Sequence, residues 1–187
     1  MPGPIKLDRL RTVLVVIDVQ EKLMPVIDGA DAMLRNVERL ISGCHVLGVP
    51  TLITEQYTKG LGNTVAPIRK ALEETSRYAP IEKNCFSANG CAEFSAQLAA
   101  LERRQVLIAG VEAHVCVYQT AADLLSEGAA VSIVADAVSS RTPANRDIAL
   151  RRLRAEGATI TSTEMALFEL TGVAGTDEFR AISRLIR

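Results

Sequence analysis

The sequence predicts an α/β fold, a three-layer α-β-α sandwich around a six-stranded, mainly parallel sheet. Two observations carry this. Short apolar runs alternate with amphipathic stretches of helical length from Thr12 to Leu185. The chain is 48% hydrophobic, yet it has only three Tyr, four Phe and no Trp, so its apolar mass is aliphatic. Ala, Val, Leu and Ile are the usual filling between helices and a parallel sheet. At 187 residues without repeats or low-complexity runs, the chain suits one domain, residues 1–187. A chain of that size buries roughly 70% of the surface its unfolded form exposes and needs no disulfide or metal staple.

The elements follow in order. Thr12–Asp18 (TVLVVID) is a β-branched, nearly continuous apolar run, read as a strand buried on both faces. Ala30–Leu47 carries a helical stripe at Met33, Leu34, Val37, Leu40, Ile41 and Cys44, and Gly48 and Pro50 stop it. Pro50–Thr54 is the second strand. Residues 56–80, with Gly60, Gly62, Pro67 and Pro80, read as irregular apart from a turn or two of helix around Ile68–Glu74. Ile81–Lys83 is a short third strand, and Cys91–Leu101 a helix. Gln105–Ala109 is the fourth strand, ended by Gly110, and a helix over His114–Glu127 is stopped by Gly128. Ala130–Ala135 is the fifth strand. Pro143–Glu156 is a helix with proline in its first turn, where the missing N–H costs nothing. Ala158–Thr161 is the sixth strand. Helices over Thr163–Leu170 and Thr176–Leu185 complete the chain.

Charge and composition exclude several functions. Lys and Arg number 21 against 22 Asp and Glu, a formal charge of −1, which argues against an electrostatic nucleic-acid or membrane-surface binder. No run reaches the roughly 18 apolar residues of a membrane span. Met1–Arg11 lacks an apolar core and a small-residue cleavage site, so it does not read as a signal peptide. Four scattered cysteines do not form a secreted disulfide framework. The expected setting is cytoplasmic, with reduced thiols.

Open parallel sheets bind ligands at the carboxyl ends of their strands. Those ends are Asp18, Thr54–Glu55, Lys83, Gly110–Val111 and Asp136. Asp18 follows an apolar run, where a carboxylate is costly unless paired. By itself it fits a structural cap as well as a catalytic group. Lys83 alone reads as a solvated strand end, with Glu82 on the opposite face. Cys116, in Gly110-Val111-Glu112-Ala113-His114-Val115-Cys116-Val117, falls at a strand–turn–helix corner. Unpaired N–H groups and the helix dipole favour a thiolate there and can hold an oxyanion, although a free Cys is more often a small buried hydrophobe. Cys44 reads as core. Cys85 and Cys91 have neither C-x-x-C spacing nor a His partner nearby. His45 sits near a helix end. Phosphate-loop, dinucleotide and G-x-S-x-G motifs are absent.

Taken together, Asp18-Val19-Gln20 after an apolar strand, Lys83 ahead of Phe86-Ser87, and the Gly110–Val117 corner resemble the isochorismatase-like, or cysteine hydrolase, superfamily. The resemblance runs from about Thr12 to Leu170. The Glu-Ala-His-Val-Cys corner is more similar to the isochorismatase-domain-containing branch of unknown substrate than to true nicotinamidases. It implies a Rossmann-like topology and a triad of Cys116 as nucleophile, Asp18 as base and Lys83 as charge partner. It also implies a non-proline cis peptide joining Val111 and Glu112, turning the Glu112 N–H toward an oxyanion alongside that of Cys116.

Two departures narrow the chemistry. Nicotinamidases carry an Asp and His metal cluster after the second strand, whereas this stretch is Thr54-Glu55-Gln56-Tyr57. No metal and no other cofactor is therefore expected, and nicotinamidase activity is disfavoured. Isochorismatases that cleave a vinyl ether lack the cysteine, so Cys116 speaks against isochorismate. Gln20, Gln56, Tyr57, Phe86 and His114 lie near strand ends and are expected to line a substrate pocket, with Glu112 beside them. The expectation is a hydrolase of a small amide, ureide or related C–N substrate. Its partners are a small-molecule substrate and copies of itself, with neither nucleic acid nor membrane. A catalytically lapsed binding or assembly module and a redox-sensing thiol protein are the alternatives.

Overall fold

The computed structural model describes residues 6–75 and 78–187. Residues 1–5 of the N-terminal segment and 76–77 of the stretch read as irregular lie outside the described residues. Six strands form one sheet in the order β3-β2-β1-β4-β5-β6, and every strand pairing is parallel. They are β1 (Thr12–Ile17), β2 (Thr51–Gln56), β3 (Ile81–Lys83), β4 (Gln105–Gly110), β5 (Ala130–Val138) and β6 (Thr159–Thr161).

Strand alternation distributes the sheet's side chains between two cores. On β1, Leu14 and Val16 join one core while Val13, Val15 and Ile17 join the other. All six β1 residues are buried, because helices cover both faces. The first core is closed by α1 (Ala30–Val46), α3 (Ala66–Thr75), α7 (Thr163–Thr171) and α8 (Asp177–Ile186) through Val37, Leu40, Ile68, Leu72, Leu167 and Ile182. The second is closed by α4 (Ala92–Ala100), α5 (Tyr118–Ser126) and α6 (Pro143–Ala155) through Phe94, Ala121, Leu124, Ala149 and Leu153. A single turn of helix, α2 (Thr58–Leu61), precedes α3.

Several boundaries differ from the sequence reading. The stretch from 56 to 80 is more ordered than its glycines and prolines suggest, since α2 and α3 occupy much of it. Pro67 is the second residue of α3, a position where its missing N–H is harmless. Strand β2 runs two residues past Thr54, because Glu55 and Gln56 pair in register with Glu82 and Lys83 of β3. Strand β5 runs on to Val138, so Asp136 lies within it rather than at its end. The Asp136 carboxylate instead accepts hydrogen bonds from Thr163 N (2.8 Å) and Thr163 Oγ1 (3.0 Å) at the start of α7.

Gly110 makes the centre of the sheet possible. Its φ is +114°, and a Cβ there would lie 2.1 Å from the Ile17 carbonyl oxygen. Only glycine lets β4 pass this close to the end of β1. The two strands that meet there are also where the sheet order reverses, with β2 and β3 on one side and β5 and β6 on the other. Such a switch point opens a crevice at the carboxyl ends of the strands.

Candidate active site

The carboxyl end of the sheet gathers one residue from each of three segments. Asp18 follows β1 immediately and takes φ +52°, a left-handed conformation that Asp tolerates better than most side chains. Its side chain is fully buried. Oδ1 accepts from the Thr54 hydroxyl (2.7 Å), and Oδ2 accepts from Lys83 Nζ (2.7 Å). Lys83, far from the solvated strand end that its residue type suggests, is also completely buried. Its ammonium donates within a ring of four oxygens, Asp18 Oδ2, Gln56 Oε1 (2.7 Å), Phe86 O (3.1 Å) and Cys85 O (3.3 Å). Pairing with hydrogen bonds on every side is what makes burial of the two charges tolerable.

Cys116 sits on the corner after β4. The residues Ala113–Val117 form a π-type turn before α5 begins at Tyr118, rather than the first turn of one continuous helix. The Glu112 carbonyl accepts from both Val115 N (3.0 Å) and Val117 N (3.2 Å), which widens the turn. The Val111–Glu112 peptide is cis. Cys116 is 7% exposed, and Asp18 and Lys83 are the two charged groups that act on its thiol. Burial, followed by the charge of Asp18, pushes the thiol up to about 12, against the opposing pull of Lys83. Burial and the neighbouring carboxylate thus oppose the pull toward a thiolate that the helix terminus and Lys83 supply. Cys44 is likewise pushed up to about 12, by burial in the first core.

The residues expected to line a pocket divide into three kinds. Gln20 is fully enclosed, and its amide is engaged with main chain. Nε2 donates to Gln56 O (2.9 Å) and Gly62 O (2.7 Å), and Oε1 accepts from Gln56 N (2.7 Å). These bonds tie the segment after β1 to the end of β2 and to Gly62. Gln56 is nearly buried too. It accepts from Lys83 and donates from Nε2 to Asn84 O (2.9 Å). Tyr57 and Phe86 are 53% and 55% exposed. His114 points toward the β5–α6 loop and the start of α6, where Nδ1 meets Ser140 Oγ (3.0 Å) and Nε2 meets Asn145 Nδ2 (3.5 Å). Both ring nitrogens thus have partners other than Cys116.

Sequence reasoning missed one ion pair at the corner. Arg141 clasps the Glu112 carboxylate through Nη2 (2.7 Å) and Nε (3.0 Å), and its own backbone N–H adds a third bond (3.1 Å). Burial pushes the Glu112 carboxyl up, but the hydrogen bonds and charge of Arg141 outweigh it and hold the group below the usual value. No local pattern announces this pair, since the partners are 29 residues apart.

The family model described as the Isochorismatase domain matches residues 12–165, which include all three of Asp18, Lys83 and Cys116. The chain belongs to the isochorismatase family. Among its relatives, the secreted isochorismatase effector Isc1 of Phytophthora sojae is 41% identical over 94% of this chain and 84% of that protein. Isochorismatase domain-containing protein 2 of Danio rerio is 37% identical over 100% of this chain and 92% of its own length. A solved structure described as the MAR1 ribonuclease of Caenorhabditis elegans superposes with a TM-score of 0.89 at 34% identity, covering 97% of this chain and 92% of that one. YcaC from Pseudomonas aeruginosa, solved with hexane-2,5-diol and covalent acrylamide, has a TM-score of 0.86 at 26% identity, over 95% of this chain and 89% of that one. Among the described residues, no helix is long and apolar enough to cross a membrane.

Proposed function

We propose that this isochorismatase-family protein is a cysteine-dependent hydrolase of a small amide, ureide or related C–N substrate. The observation that carries the reading is the convergence of Asp18, Lys83 and Cys116 at the switch point of the sheet. Asp18 takes the proton from Cys116 Sγ as the sulfur attacks the substrate carbonyl carbon. The N–H groups of Glu112 and Cys116 hold the developing oxyanion. Protonated Asp18 then gives its proton to the departing amine, leaving a thioester on Cys116. Water attacks the thioester with Asp18 again taking the proton, which frees the acid and restores the thiol. Lys83 offsets the negative charge that moves between Asp18 and Cys116 and keeps the carboxylate aimed.

A thiol pushed up to about 12 suits this order of events. Proton transfer to Asp18 accompanies attack, so the nucleophile is made when substrate fills the site. The covalent acrylamide in the YcaC structure supports a reactive nucleophile in that relative, and we extend that property to this chain. Metal-free catalysis, a cytoplasmic setting and a homo-oligomeric state complete the proposal. The Phytophthora relative is described as secreted, so cellular fractionation checks the setting, and size-exclusion chromatography with light scattering checks the assembly.

The test is a hydrolysis screen of small amides, ureides and carbamoyl compounds, run on wild type and Cys116→Ala. An RNA oligonucleotide belongs in the same screen, because the nematode neighbour is described as a ribonuclease. The net charge of −1 argues against that substrate. Turnover of a C–N substrate that vanishes in Cys116→Ala supports the reading, and turnover that survives the substitution contradicts it.

A further inference from the structure

Gln56 has an assignment that its place in the sheet makes specific. In the β2–β3 register it stands directly opposite Lys83, so both side chains leave the same face of the sheet. Its amide orientation is fixed by two different partners. Nε2 must donate, and it meets the Asn84 carbonyl, so Oε1 faces the Lys83 ammonium. The backbone of Gln56 is fixed as well, because the buried Gln20 amide pairs with both its N–H and its carbonyl. The result is a continuous chain of contacts from Gln20 through Gln56 and Lys83 to Asp18.

An ammonium has three protons, and the Lys83 ammonium is surrounded by four oxygens, of which only Asp18 Oδ2 is charged. Gln56 Oε1 matches Asp18 in closeness at 2.7 Å, while the two carbonyls stand farther off. Its neutrality is the important property. A carboxylate at that point would set two anions against one ammonium, and Cys116 Sγ would have to lose its proton beside both. The other acidic side chains of β2 and β3 are turned away. Glu55, on the opposite face, is held by Thr64 and Tyr78, and Glu82 is bound to Thr58 outside.

We infer that Gln56 is a positioning residue for the triad, a neutral brace that pins the Lys83 ammonium between Asp18 and Cys116 without competing for its charge. The inference rests on the cysteine-hydrolase reading for its purpose, but its test does not require turnover. The probe is iodoacetamide. Its rate of reaction with Cys116 between pH 7 and 10 is followed by peptide mass spectrometry in wild type, Gln56→Glu and Gln56→Met.

Gln56→Glu keeps the shape and adds a charge. It is expected to slow Cys116 labelling about tenfold or more at each pH, one tenfold step for each unit by which the thiol rises. Gln56→Met keeps the volume but removes the acceptor. The loosened ammonium then helps the thiolate less, and labelling is expected to slow by roughly threefold to tenfold. Thermal unfolding and the labelling of Cys44 confirm that each variant is folded. A residue that only packs would leave the pH profile unchanged in a folded protein. Equal labelling in all three proteins, including a Cys116 that stays unlabelled in all three, or faster labelling in either variant, overturns the inference. Failure of the hydrolase reading shows separately, as turnover that survives Cys116→Ala.

Discussion

Removing the Lys83 charge tests the buried pair at the heart of the site. In Lys83→Met the aliphatic stem is kept and the ammonium is lost. Asp18 Oδ2 then loses its 2.7 Å partner, and the Thr54 hydroxyl on Oδ1 remains. Both side chains are 0% exposed, so water does not compensate. Breaking a buried pair by removing one member costs about 3–5 kcal/mol. For a chain of this size each kcal/mol moves Tm by about 2–4 °C, so the expected fall is roughly 6–20 °C. Thermal unfolding at neutral pH, followed by circular dichroism, measures it. The double variant Asp18→Asn/Lys83→Met removes both charges while keeping a residue that tolerates positive φ at position 18. It is expected to regain most of the loss. A cost below about 1 kcal/mol for Lys83→Met, or a double variant less stable than the single, would refute the argument that the charges depend on each other.

Other consequences can be checked in the same assay. Gly110→Ala places a Cβ 2.1 Å from Ile17 O and should lower Tm far more than Gly128→Ala, where nothing lies within 4 Å. Equal effects would mean that β4 can move away from β1. Thr120→Val removes the acceptor of the buried Ala88 N–H (2.8 Å), at an expected cost of about 1–3 kcal/mol by urea denaturation. The Glu112–Arg141 pair should show in pH dependence. Because the folded Glu112 pKa is depressed, the pair's contribution is complete above the ordinary value of 4.5 and is lost as pH falls through the folded value. The stability difference between wild type and Arg141→Met should therefore shrink on acidification. A difference that grows as pH falls would contradict the assignment.

Much of the fold could be read from local pattern, because the cause is local. The run Thr12–Ile17 is apolar and β-branched at almost every position, and a strand covered on both faces requires that. Gly48 takes φ +68° just beyond α1, a conformation that its lack of a side chain makes cheap. The strand ends also directed attention to Asp18, Lys83 and the corner carrying Cys116. What the pattern could not give was who meets whom. Gln20 and Gln56 look like pocket residues because they are polar and stand at strand ends. Only pairing across 36 and 27 residues shows one holding backbone and the other holding Lys83. The extension of β2 through Glu55 and Gln56 was hidden for the same reason, since it depends on register with β3. The thiol at Cys116 follows a related rule. Its position suggested a helix dipole, but burial and the neighbouring carboxylate set its proton affinity, and neither is visible in a five-residue window.

The most direct test of the account is intact-protein and peptide mass spectrometry during turnover of a substrate found in the screen. The account predicts a transient adduct on Cys116 with the mass of the substrate's acyl part. It should be absent in Cys116→Ala and should fail to form in Asp18→Asn. Turnover that continues in Cys116→Ala, or an adduct on another residue, would contradict it.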